Sequence, residues 1–268
     1  MIGGVRPVRR IGFGAMHLPT APGPDRDMAI SVARRAVELG VTLIDTAHLY
    51  GWGANEQLLA DALHPYPPEL LIATKVGVAP PEGDLDARLC GRPEFLRAQV
   101  DEGLRRLRLD RLELLQLHRV DPDVPLADQV GTLRDLRDAG KIAQIGLSEV
   151  TVEQLTEART IVEIASVQNR YNLLYRDHEP VLRACTAAGI AFLPWRPVLP
   201  AVGGGEPESI AAETGATAAQ VALAWLLGHS PVILPIPGTA SLTHLAENVA
   251  ATTLHLTADQ TTRLDALA

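Results

Sequence analysis

Short apolar runs alternate along this chain with stretches whose apolar positions recur at helical spacing. The runs are residues 10–14, 42–47, 70–76, 112–118, 142–148, 164–168, 190–195 and 232–236. Each is short, rich in Val, Ile and Leu, and flanked by Gly, Pro or charged residues, which predicts eight buried strands. Between them, Ile30, Ala33 and Val37 define one helical face, with Asp25 or Asp27 as its cap and Gly40 as its stop. Residues 55–63 form a second helix, and Leu96, Val100, Leu104 and Leu107 mark a third. Further helices are predicted over 125–138, 178–188 and 221–227, and Thr151-x-x-Gln154 and Thr257-x-x-Gln260 read as capping-box starts. The longest irregular stretch is 77–92, a candidate pocket wall, and Gly203-Gly-Gly-Glu206 reads as a flexible connection.

Eight strands alternating with helices in 268 residues fit an α/β fold of the (β/α)₈ TIM-barrel type, a single domain over 1–268. A doubly wound sheet shares this pattern. The strand ends decide between them. With period-two alternation, Leu43, Asp45 and Ala47 share one face, as do Leu71, Ala73 and Lys75, and Leu114, Gln116 and His118. Three successive strands thus end in an acid, a base and an imidazole, and the C-terminal strand ends of a barrel are where reacting groups collect. A buried carboxylate needs a partner, and Lys75 is the candidate for Asp45.

Composition narrows the function. A net charge of −8 with interspersed signs argues against a nucleic-acid partner. Cys90 and Cys185 fit neither a disulfide framework nor a metal spacing, so a cytoplasmic protein is expected. No leader-like apolar segment stands at the N-terminus and no run has a membrane span's length. Gly12-x-Gly14 lacks the third glycine and the following helix of a dinucleotide fingerprint. A metal site is not expected, because only Asp45 and His118 stand at strand ends and Lys75 lies between them.

Asp45-Thr-Ala-x-x-Tyr50-Gly51, Ala-Thr-Lys75 and Leu-His118-Arg119 resemble the catalytic signature of the aldo-keto reductase family. Ile145-Gly-Leu-Ser148, Gln168-Asn-Arg-Tyr-Asn172, and Ile236-Pro-Gly-Thr239 with Glu247-Asn248 follow in that family's order, and the resemblance runs from Ile11 to the end. It implies reduction of an aldehyde or ketone by hydride transfer from NADP(H). Tyr50 would then be the proton donor, Lys75 the cation that stabilises its phenolate, Asp45 the countercharge and His118 a neutral imidazole near the substrate oxygen.

By the same resemblance, Ala15, Ser148, Gln168 and Trp195 would hold the nicotinamide end. Gly238, Thr239, His244, Glu247 and Asn248 would hold the adenosine end, while Met16 and Trp52 would line the substrate pocket. Ala240, Ser241 and His244 stand where this family commonly has basic residues, so weaker discrimination against NAD(H) is expected. Glu149 replaces a common asparagine and is left outside the expected site. The competing expectation is a cofactor-binding, redox-sensing regulatory protein of the same fold.

Overall fold

The computed structural model describes residues 1–81, 87–198 and 205–268. In chain order the elements are β1 (Phe13–Gly14), α1 (Pro24–Glu38), β2 (Leu43–Asp45), α2 (Ala54–Leu63), β3 (Leu71–Val76), β4 (Val78–Ala79), β5 (Arg88–Leu89) and α3 (Pro93–Leu107). Then follow β6 (Leu112–Leu117), α4 (Leu126–Asp138), β7 (Ile142–Ser148), α5 (Val152–Ile161), β8 (Ser166–Gln168), α6 (Glu179–Ala188) and β9 (Ala191–Phe192). The chain ends with α7 (Glu206–Thr214), α8 (Ala218–His229), α9 (Leu242–Ala250) and α10 (Ala258–Asp265).

The parallel sheet runs β1-β2-β3-β6-β7-β8-β9 and curls into a (β/α)₈ barrel. Its eighth stave is the expected run at 232–236, which forms only isolated bridges. On one side Phe192 N donates to Val232 O at 2.9 Å and Leu234 N to Phe192 O at 2.8 Å. On the other, Gly12 N donates to Pro235 O at 2.8 Å and Gly14 N to Pro237 O at 3.1 Å. A parallel ladder alternates donors between strands, and the return donors here would be the nitrogens of Pro235 and Pro237, which carry no hydrogen. The barrel therefore closes through a ladder missing the return bonds of Pro235 and Pro237 and completed at the Gly14–Gly238 bridge.

Alternation along the strands sorts the core into two compartments. Leu43, Leu71, Leu114, Ala165, Leu193 and Ile236 face inward and pack with Ile2. Ile44, Ile72, Leu115, Leu117, Ile145 and Val167 face outward under the helices. Ile2 plugs the barrel from a turn closed by Arg6 N donating to Ile2 O, and its side chain is fully buried. Such burial contributes roughly 1.5–3 kcal/mol.

Three expectations change. The stretch expected to be irregular contains an antiparallel hairpin, β4 with β5, although residues 82–86 within it lie outside the described set. Helix α1 begins at Pro24, so Asp25 and Asp27 lie in its first turn, where they complement the positive helix end, and neither caps it. Glycines 203 and 204 lie outside the described residues; Glu206, expected in a connection, instead starts α7. Among the described residues no single helix is long and apolar enough to cross a membrane.

Candidate active site

The inward-facing side chains turn polar toward the C-terminal ends of the strands. Register places Asp45 opposite Ala73, Lys75 opposite Gln116, Gln116 opposite Gly146, and Ser148 opposite Gln168. Gly146 makes this layer possible: a Cβ there would lie 2.3 Å from Ser166 Oγ and 2.9 Å from Gln116 Cγ. Tyr50 comes from the short helical turn after β2. Backbone Tyr50–Gly53 passes through three left-handed residues, Gly51, Trp52 and Gly53, before α2 begins. Such a conformation is costly for a bulky residue like Trp52 and fixes where the loop re-enters the helix layer.

Lys75 is the hub. Its ammonium donates to Asp45 Oδ2 at 2.6 Å, to Thr46 O at 2.9 Å and to Tyr50 Oη at 3.2 Å. Those three bonds use all of its hydrogens. Burial alone would lower the lysine's pKa, but the Asp45 charge and the Asp45 and Tyr50 hydrogen bonds reverse this and hold it above its ordinary value. Asp45 Oδ1 accepts from Gln168 Nε2 at 2.8 Å and from Gln116 Nε2 at 3.4 Å.

For Tyr50, burial and the charge of Lys75 pull in opposite directions. Burial raises its pKa, and the opposing fields of Lys75 and Arg119 do not overcome that. The phenol and the ammonium both keep their protons at neutral pH, an arrangement suited to a proton donor. His118 sits edge-on to Tyr50, ring centroids 6.1 Å apart. Burial, followed by the charges of Lys75 and Arg119, lowers its pKa to about 2, so the ring is neutral. His118 Nδ1 is buried and has no partner among the described residues.

Ser148 Oγ accepts from Arg119 Nη1 at 3.2 Å, which leaves its own hydrogen free to donate. Gln168 spends its amide nitrogen on Asp45, leaving its carbonyl oxygen free to accept. Together they offer one donor and one acceptor at adjacent strand ends, the complement of a carboxamide. Trp195, beyond β9, is half-buried, and its indole N–H donates to Glu149 Oε1 at 2.6 Å.

Sequence reasoning left Glu149 out, yet it anchors this wall. It also accepts from Arg170 N at 2.7 Å, and His178 Nε2 lies 3.5 Å from its other oxygen. Asn169 Nδ2 donates to His178 Nδ1, so the histidine presents Nε2–H to the carboxylate. Burial would raise the carboxyl pKa, but the bonds from His178, Trp195 and the Arg170 amide hold it at about 2. The one local signal in sequence was weak: an acid directly after a strand, here with a left-handed φ of 54°.

The remaining expected residues are spread around the rim. The Ala15 amide donates to Asp45 O and its carbonyl accepts from Asn55 Nδ2, so its backbone is already committed and offers only packing. Gly238 meets Gly14 so closely that a Cβ on Gly238 would lie 2.7 Å from Gly14 O. Gly238 and Thr239 precede α9 but do not start it. Ser241 is the cap, its hydroxyl accepting from His244 N, and Thr239 Oγ1 accepts from Ser241 N at 3.0 Å. His244 is exposed in the first turn of α9, while Glu247 is half-buried and Asn248 buried one turn on. Met16 and Trp52 are 57% and 38% exposed, consistent with positions on an open rim.

The sequence profile of the Aldo/keto reductase family matches residues 10–202 and 205–268. An uncharacterized oxidoreductase of Schizosaccharomyces pombe is 41% identical, the match covering 96% of this chain and 86% of that protein. Pyridoxine 4-dehydrogenase of Escherichia coli is 40% identical over 98% of this chain and 96% of its own length. The crystal structure of an aldo-keto reductase from Klebsiella pneumoniae in complex with NADPH superposes with a TM-score of 0.86 at 25% identity, covering 99% of this chain and 93% of that one.

Proposed function

The chain belongs to the Aldo/keto reductase family, and from that premise we propose that this oxidoreductase interconverts an aldehyde or ketone with its alcohol, with Tyr50 as proton donor in the direction of reduction. The observation that carries this reading is the single ammonium of Lys75 joining Asp45 and the Tyr50 hydroxyl. A nicotinamide bound in the barrel mouth would supply the hydride. Ser148 Oγ–H and the Gln168 carbonyl fit its carboxamide, and the Trp195 face offers a stacking surface.

As negative charge builds on the carbonyl oxygen, Tyr50 Oη releases its proton to it, and Lys75 holds the resulting phenolate. Asp45 keeps the Lys75 proton in place through the step, and His118 remains a neutral hydrogen-bonding wall. We propose NADP(H) as the cofactor, supported by the NADPH complex of the Klebsiella pneumoniae relative. Residues 237–250 contain neither Lys nor Arg, which supports a preference over NAD(H) weaker than a guanidinium facing a 2′-phosphate would give. The name of the Escherichia coli relative makes pyridoxal and pyridoxine the first substrate pair to try. The same reading takes residues 1–268 as one catalytic unit in the cytoplasm, supported by two buried free thiols, Cys90 and Cys185.

The test is nicotinamide absorbance during turnover of a small carbonyl panel, with Tyr50→Phe beside the wild type. A fall of about a hundredfold or more in kcat with cofactor affinity retained is expected. Equal turnover by both proteins would sink the proton-donor role, and absence of cofactor binding by the wild type would sink the oxidoreductase mechanism.

A further inference from the structure

The site contains a cation with no assigned role. Arg119 follows His118 directly and is half-buried at the barrel mouth. Its Nη1 donates to His118 O at 2.5 Å and to Ser148 Oγ at 3.2 Å. Nε and Nη2 donate to no described residue, and Arg119 forms no ion pair with a described carboxylate. Arg106, also a partly buried guanidinium, instead has a partner for each of its three nitrogens, in Glu56, Glu102 and His48 at 2.7, 2.8 and 3.0 Å. Neither Nε nor Nη2 of Arg119 is among the buried unpartnered atoms, so both open on the mouth, where an acceptor oxygen of a ligand can replace water.

Its neighbourhood points the same way. Lys75 and Arg119 act on Tyr50, while Arg170 and Arg196 lie 5.9 and 5.4 Å from the Trp195 ring, Arg170 also stacking on Tyr175 at 4.2 Å; Asp45 and Glu149 are the acids in contact with Lys75 and Trp195. Both acids are already engaged, Asp45 by Lys75 and Glu149 by three donors. A cationic mouth on a chain of net charge −8 is a local arrangement and does not follow from composition.

We propose that Arg119 is a specificity residue that binds an anionic oxygen carried next to the substrate's reacting carbonyl, so that the preferred substrates are 2-oxo acids or aryl aldehydes with an ortho oxyanion. This deepens the carbonyl-reductase reading and rests on it. Arg119 bonds Ser148 and lies close enough to Tyr50 and His118 for its charge to act on both, so a group it binds would sit beside the proposed proton donor. A carboxylate and an ortho phenolate both present that oxygen. The guanidinium fork suits a carboxylate by two parallel bonds and a phenolate by one.

The experiment compares phenylglyoxylate with its methyl ester, and salicylaldehyde with 2-methoxybenzaldehyde, in wild type, Arg119→Gln and Arg119→Lys. A charge-assisted contact predicts that the acid-to-ester ratio of kcat/KM falls about ten- to hundredfold in Arg119→Gln and recovers in part in Arg119→Lys. A parallel loss confined to the salicylaldehyde pair assigns the phenolate, and one confined to phenylglyoxylate assigns the carboxylate. If both members of each pair fall together, Arg119 acts through the cofactor or the fold and the proposal is overturned.

Titration calorimetry of phenylglyoxylate into the protein with NADP⁺ adds a readout independent of turnover. Binding by wild type that weakens at least tenfold in Arg119→Gln supports the contact, and equal binding by both refutes it. If no carbonyl is reduced by wild type while phenylglyoxylate still binds through Arg119, the reductase reading fails and the anion site stands.

Discussion

Two buried ion pairs hang from neighbouring residues of β3. Thr74 faces outward and donates to Glu56 Oε1 at 2.5 Å, while Glu56 Oε2 accepts from Arg106 Nε at 2.7 Å. Lys75 faces inward and meets Asp45. Both carboxylates are nearly inaccessible, at 1% and 2% exposure. They differ in what their partners have left over. Arg106 spends its fork on Glu56, Glu102 and His48, all side chains of α2, α3 and the loop after β2, so that network is closed on protein. Lys75 spends its third hydrogen on Tyr50 Oη, which faces His118 and the barrel mouth. Burial of charge is common to both, and only the pair whose hydrogen bonds continue to an open hydroxyl is equipped for chemistry.

Changing each pair separately tests this distinction. Lys75→Met should give the largest effect, a loss of about a thousandfold in kcat/KM from steady-state rates, because the proposed mechanism relies on this cation to stabilise a Tyr50 phenolate. The Asp45→Asn/Lys75→Met double variant should regain the stability that the single variant loses by stranding a buried carboxylate, and still be inactive. A double variant with activity would break the comparison. Glu56→Gln should do the reverse: a loss of about 3–5 kcal/mol in urea unfolding, with kcat/KM changed only a few-fold.

Glu149 is a useful intermediate, a site carboxylate closed by three donors. Its pKa is held at about 2, below the usual carboxylate value, so its contribution is fully present above about pH 4.5 and lost as pH falls through about 2. Glu149→Gln should therefore cost about 1–2 kcal/mol in urea unfolding at pH 7 and much less near pH 3. A cost independent of pH would mean that shape and not charge holds Trp195. The smallest effect belongs to Thr257→Ala, far from both pairs. There the capping box with Gln260 is complete, and its loss should lower stability by about 1 kcal/mol with no change in rate.

The strands that carry the catalytic candidates were legible because their alternation is strict: Asp45, Lys75 and Gln116 lie on the inward face that period two predicts. Capping boxes at Thr151 and Thr257 were legible from their spacing. The identical signature at Thr217-x-x-Gln220 starts α8 and was passed over, since the apolar run after it drew the helix start forward to Val221. The Ile2 plug left no periodic trace, because a turn of a few residues has no repeat to detect. Glu149 was missed for a physical reason: its partners are an indole beyond β9, a backbone amide beyond β8 and a histidine before α6, all brought to it only by barrel closure. The net direction of the Tyr50 pKa is not legible in the sequence, because Coulomb attraction can be read from residue types, whereas desolvation depends on the walls.

The depleted ladder between β1 and 232–238, short of two proline donors, makes the barrel a cylinder with a seam. Gly12 and Gly14 stitch it by donating to Pro235 and Pro237, and Gly14 bridges Gly238, the first residue of the segment proposed to hold the cofactor's adenosine end. These contacts join residues far apart in sequence, so they close a long loop at a high entropic cost. A ligand that grips the segment after Gly238 while its other end rests on Ser148 and Trp195 acts as a cross-seam staple. If the proposed cofactor binds in this way, its binding and circumferential closure would be one cooperative event, and the melting temperature of the cylinder should climb with cofactor concentration by mass action.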